Sequence, residues 1–74
     1  MEINDLIQVF DEVLNQEHRL EINKDTHYKE SEEWSSLSAF MVTGLLYDKF
    51  QLKVRGNVFR KSDTIAELFE LIKG

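Results

Sequence analysis

From Leu37 to Phe50 apolar residues fall on more than one side of a helix. Leu37, Phe40, Met41, Gly44, Leu45 and Asp48 share one side, and Ala39, Val42, Leu46 and Phe50 share another. A surface helix needs only one apolar stripe. This segment is therefore either central in a bundle or leaves part of its apolar surface for a partner. Ser35 precedes it as a natural N-cap, because its hydroxyl can accept from the N–H groups of the first turn. Gly44 in mid-helix costs ~1 kcal/mol relative to Ala and either allows close packing or leaves space beside the helix.

The rest of the chain supplies what such a helix packs against. Ile3, Leu6, Ile7, Phe10, Val13 and Leu14 recur at spacings of three and four, which predicts an amphipathic helix from about Ile3 to Gln16. Glu17 to Ser35 has no sustained period. It reads as a long loop pinned to the core by Leu20, Ile22, Tyr28 and Trp34, and loops of that length are often functional. Gln51 to Lys61 is a connector. Gly56-Asn57 is a turn signal there, and Asn57 to Arg60 suits one short helical turn. Thr64 and Glu67 form a capping box for a last helix with Ile65, Leu68, Phe69 and Ile72 on one face. Lys73 suits the negative end of that helix dipole and Gly74 its termination. No strand pattern competes.

The chain has 74 residues, enough for a single domain over 1–74. Such a domain buries only ~60% of the surface its unfolded chain exposes, so a deep catalytic cleft is not expected. No cysteine is present, which removes disulfides and thiolate metal sites. No apolar run reaches membrane-spanning length, and no N-terminal stretch has the layout of a leader. A cytoplasmic monomer with no membrane partner is expected. The net charge of -5 argues against nucleic-acid binding. Residues 1–33 hold ten acids against three bases, and residues 34–74 four against six. That asymmetry fits either two solvated faces or charge-steered protein partners.

Catalytic chemistry has few candidates. His18 and His27 are nine residues apart, which is no metal-ligand spacing on a helix, and both read as loop histidines. Glu30, Glu32 and Glu33 read as a solvated charge run. No glycine-rich phosphate loop is present, so neither an enzyme nor a metal site is expected. The remaining feature is Trp34-Ser35-Ser36-Leu37, where a long polar loop ends and a serine stands in the first turn of an apolar helix. The bland reading is a capped helix. The functional one is that the free N–H groups and positive dipole end favour a phosphate there, on a hydroxyl that a transferase can reach.

At this point the chain resembles the acyl carrier protein family. That family attaches 4'-phosphopantetheine to the serine of an Asp-Ser-Leu motif at the start of its second helix, and Ser35-Ser36-Leu37 is the matching stretch. Leu37, Val42, Leu46 and Phe50 match the apolar positions of the family's second helix. Tyr47-Asp48-Lys49-Phe50 stands where the family has acids followed by phenylalanine. Thr64-Ile65 and Leu68-Phe69-Glu70-Leu71-Ile72 resemble its last helix, and Trp34 is similar to a tryptophan found near the motif in many stand-alone carriers. Ser35 replaces the usual aspartate. Met41 and Tyr47 stand where many members have acids, which leaves Asp48 as the one acid of the second helix.

The resemblance implies an all-α, acyl-carrier-like four-helix bundle with three main helices, a short third helix and a long first loop. It implies a non-enzymatic carrier of acyl groups, held as thioesters on a 4'-phosphopantetheine arm at Ser36. The arm would come from coenzyme A through a phosphopantetheinyl transferase. Acyl-loading and acyl-transferring enzymes of fatty acid, polyketide or related biosynthesis would be the other partners. Ser35, Leu37, Met41, Val42 and Arg55 are the expected docking residues, for a partner surface more apolar or differently charged than usual. Phe10, Leu46, Phe50, Ile65 and Leu68 are the expected core, with an acyl chain sheltered between helices near Gly44. Two alternatives remain open: an unmodified helical interaction module of the same fold, and a peptidyl or aryl carrier of nonribosomal synthesis.

Overall fold

The computed structural model of the protein describes residues 1–15 and 21–73. They form three α-helices, α1 (Ile3–Leu14), α2 (Ser36–Phe50) and α3 (Ile65–Lys73), with single 3-10 turns at Tyr28–Glu30 and Gly56–Phe59. No strand occurs among the described residues, where one isolated bridge pairs His27 with Thr64. The fold is a small helical bundle. None of its described helices is long and apolar enough to cross a membrane. The expected short turn of the connector is present as the second 3-10 turn, one residue earlier than its sequence places it.

The stripe of α1 is buried as its spacing predicts. Leu6, Phe10, Val13 and Leu14 are in the core, with Ile7 half-buried beside it. Val9 joins them because it follows Leu6 by three and precedes Val13 by four, on the same face. The Asp5 carboxylate accepts from the Glu2 N–H at 2.8 Å and secures the first turn. Asn15 closes the helix, with its N–H on the Asp11 carbonyl at 2.9 Å and its side-chain amide on the Asp11 carboxylate at 2.8 Å. The expected end at Gln16, the Leu20 anchor, His18 and the terminating Gly74 lie outside the described residues.

α2 packs on α1 through Ser38, Val42 and Leu46, a series four residues apart and buried throughout. Lys49 reaches Glu12 of α1 at 2.7 Å. Gln51 ends the helix in the left-handed region at φ 54°, donating to the Tyr47 carbonyl at 2.8 Å, while the Leu52 N–H bonds Leu46 at 3.3 Å. The Gln51–Tyr47 bond is the five-to-one closure of a left-handed cap, usually made with glycine. Of the expected core, Phe10, Leu46, Ile65 and Leu68 are fully buried, and Phe50 is half-buried against it.

Tyr28 anchors the loop. It is fully buried, packs on Phe10 and Trp34 with ring centroids 4.9 Å away in each case, and hydrogen-bonds Ser62 through its hydroxyl. Burial pushes that hydroxyl above its ordinary pKa of 10.0, with the Ser62 bond opposing the shift. Ile22 and Trp34 pack at the edge of the same core, as the loop reading expects. The loop also feeds the start of α3. The Ile65 N–H bonds Thr26 at 3.3 Å and the Ala66 N–H bonds Lys24 at 2.9 Å. The predicted capping box is made, with Glu67 N–H on Thr64 Oγ1 at 3.2 Å and Thr64 N–H on the Glu67 carboxylate at 3.0 Å. Every N–H that a helix start leaves without an intrahelical partner is thus satisfied at α3.

Candidate functional site

The start of α2 is built differently. Ser35 takes the N-cap position in extended conformation, and its hydroxyl accepts from the Ser38 N–H at 3.3 Å. Ser38 answers by accepting from the Ser35 N–H at 3.2 Å and donating to the Glu33 carbonyl at 2.7 Å. This is a capping box with serine in the place of the usual Glu or Gln. Between them stands Ser36, the first residue of the helix. Its hydroxyl is exposed and has no hydrogen-bond partner among the described residues. The N–H groups of Ser36 and Leu37 likewise have none, in contrast to the start of α3. Three serines within four positions therefore have separate roles. Ser35 and Ser38 hold the turn, and Ser36 offers a reachable hydroxyl at the positive end of the helix.

Ser36 also lines a groove of about 550 Å³. Ala39, Phe40 and Thr43 extend one wall along α2. Gly56, Phe59 and Arg60 of the second 3-10 turn form the other. Trp34 lies between, stacked on Phe10 at 6.1 Å and tilted on Phe59 at 5.6 Å. Lys29 closes one end and is shared with Asp63 at 3.3 Å. The groove presents aromatic surface, hydroxyls and two cations, and no carboxylate.

Charge is distributed unevenly around it. Lys24, Lys29, Lys49 and Lys73 each have an acidic partner. Lys53, Arg55, Arg60 and Lys61, all in the connector, have none among the described residues. Glu30, Glu32 and Glu33 are exposed beside the opening of α2, with Glu30 near the exposed His27 ring at 3.4 Å. No cluster of metal-ligating side chains occurs among the described residues.

The expected docking residues separate. Leu37 is 66% exposed and Met41 38% exposed, so both are open to a partner. Arg55 is exposed at the entry to the second 3-10 turn and is not part of the groove lining. Ser35 is exposed but committed to the cap. Val42 is a correction, because its side chain is 0% exposed and belongs to the core. One residue past Met41 means a rotation of ~100° around the helix, which turns Val42 onto the face of Ser38 and Leu46. Phe40 is the exposed apolar residue of this face that sequence reasoning did not single out for docking. At 74% it exceeds every other large apolar side chain among the described residues in exposure, and its spacing of three from Leu37 was the available signal. Gly44 is exposed, with nothing within 4 Å of where a Cβ would stand. It neither permits close packing nor lines the groove.

Comparison with models of known protein families finds no match. Neither curated proteins nor solved structures give one.

Proposed function

We propose that the protein is an acyl carrier, with 4'-phosphopantetheine attached through a phosphodiester at Ser36. The observation that carries this reading is the division of labour at the start of α2. Ser36 alone of the three serines there has an exposed hydroxyl with no hydrogen-bond partner among the described residues. In the loading step the Ser36 oxygen bonds the phosphorus that coenzyme A supplies. Its proton passes to a transferase, and the adenosine bisphosphate portion departs. Ser35 and Ser38 keep the turn rigid while this happens, and the unpaired N–H groups of Ser36 and Leu37 offset the charge of the phosphate. The arm, once attached, supplies a thiol that holds an acyl group as a thioester. The four-helix acyl-carrier layout also fits, with the Gly56–Phe59 turn in the place of the short third helix.

Leu37, Phe40 and Met41 stand beside Ser36 on the open face of α2 and form the docking surface for the enzymes that load and unload the arm, with Arg55 as a charged neighbour. Protein isolated from its own host is expected to exceed its sequence mass by one phosphopantetheine, located on the peptide that contains Ser36. The bare sequence mass in every preparation would count against the reading. The exposure of Leu37 and Phe40 also supports a second reading, an unmodified module that binds a partner through this face. It predicts that Ser36→Ala keeps partner binding while Met41→Glu abolishes it. Cargo distinguishes an acyl carrier from a peptidyl or aryl one, and the fold is common to both.

A further inference from the structure

We propose that the connector between α2 and α3 docks an acidic, amphipathic segment of a partner protein. Lys53, Arg55, Arg60 and Lys61 hold its carboxylates, and Phe40 meets its apolar side chains. The proposal does not depend on what Ser36 carries. The chain has 14 acids and nine Lys and Arg, yet residues 49–62 contain five of those nine cations and no acid. Lys49 leaves the strip to pair with Glu12 at 2.7 Å. The other four are exposed and have no acidic partner among the described residues, whereas Lys24, Lys29 and Lys73 are all paired. Acids are in excess, so a shortage of partners does not explain the unpaired strip. Like charges gathered this closely repel one another, and an acidic ligand removes that cost.

The backbone beneath the cations is anchored. Leu52 and Val54 are half-buried while Lys53 and Arg55 are exposed, an alternation that puts both cations on one side of the chain. Val54, Val58 and Phe59 pack into the core, and Arg60 and Lys61 follow them exposed. Ordering such a strip on binding costs less than ordering a loose loop. Arg60 lines the same groove as Phe40, so the strip is continuous with the exposed apolar face of α2. An apolar patch with a cationic rim complements a segment that has apolar side chains among acids. Nucleic acid and an anionic bilayer present charge across the whole 30 × 23 × 22 Å molecule, and a second copy has the same net charge of -5. The overall charge opposes all three. A short acidic segment meets only the strip, because charges act over a Debye length of ~8 Å.

The probe is a fluorescent amphipathic helical peptide with a leucine stripe flanked by glutamates. Two counterparts replace every glutamate with lysine or with glutamine. Anisotropy titrations with the full chain should show the glutamate peptide binding at least tenfold more tightly than either counterpart. That preference should vanish at high salt, a measurement made on the parent chain that needs no variant to fold. Combining Lys53→Gln, Arg55→Gln, Arg60→Gln and Lys61→Gln should weaken the glutamate peptide at least tenfold, and Phe40→Ser at least threefold. Equal affinity for the three peptides, a preference that ignores salt, or a fourfold variant that binds like the parent overturns the proposal. So does binding to phosphatidylglycerol vesicles, or self-association, that the fourfold variant loses while the glutamate peptide fails to bind. Ser36→Ala should bind the glutamate peptide as the parent does. Loading is not read in this experiment, so its failure leaves the carrier reading standing, and a chain that no transferase loads can still bind the peptide.

Discussion

Ser35 and Ser38 cap each other. The Ser35 hydroxyl accepts from the Ser38 N–H at 3.3 Å, and the Ser38 hydroxyl accepts from the Ser35 N–H at 3.2 Å. Ser38 is buried and also donates to the Glu33 carbonyl at 2.7 Å. Ser38→Ala is therefore expected to cost about 1–2 kcal/mol, the usual range for loss of a cap. Ser36→Ala removes an exposed hydroxyl with no hydrogen-bond partner among the described residues and should stay within about 0.5 kcal/mol of the parent. Urea denaturation of the two variants measures the contrast.

Glu67 ties stability to acid. The backbone N–H groups of Asp63 and Thr64 donate to its carboxylate and hold its pKa below the ordinary 4.5. The depressed value means that the charged form is favoured in the folded protein. Its contribution is present above 4.5 and is lost as pH falls through the folded-state value. Thermal unfolding followed from neutral pH down to strong acid should show a decline that is shallower in Glu67→Gln. An identical decline in the variant would contradict this role.

Two positions, one within α2 and one at its C-terminal cap, should accept stabilising changes. Gly44 is helical, exposed and open around its Cβ position, so Gly44→Ala should add up to about 1 kcal/mol. Gln51 has a positive φ of 54°, where a side chain costs roughly 1–2 kcal/mol. Gln51→Gly relieves that cost while keeping the closing hydrogen bonds, offset in part by greater freedom of the unfolded chain. Denaturation midpoints of both variants should rise. A fall at Gly44→Ala would show that this surface is held differently in solution.

Much of this architecture was legible in the residues. The stripe from Ile3 to Leu14 and the Thr64–Glu67 box specify α1 and α3 because both signals are local and periodic. Tyr28 and Trp34 stood out as lone apolar residues in a polar loop, and both anchor it. Three features were not legible. The apolar surround of α2 conceals which of its sides faces α1, so Val42 reads as surface when it is core. The loop carbonyls of Lys24 and Thr26 satisfy α3 through contacts about forty residues apart, which no local pattern encodes. The groove needs Lys29 and Arg60 brought together by Tyr28, whose hydroxyl bonds Ser62. Of the candidate site, Ser36 was singled out by its place in the first turn of an apolar helix together with the resemblance to acyl carriers. That its two neighbouring serines occupy each other emerges only from their hydrogen bonds.

The open face of α2 should govern encounters with enzymes and leave the fold untouched. Phe40→Glu and Leu37→Glu replace exposed side chains, so their unfolding midpoints should stay near the parent. The rate at which a transferase loads Ser36 should fall at least tenfold in each, through a higher KM, if this surface docks the enzyme. Unchanged kinetics would remove these residues from the docking surface.

The most direct measurement is intact mass after incubation with coenzyme A and a panel of phosphopantetheinyl transferases of differing partner preference. The parent protein should gain one phosphopantetheine with at least one of them, and Ser36→Ala should gain none. No mass increase with any transferase, or an equal increase in Ser36→Ala, would contradict attachment at Ser36.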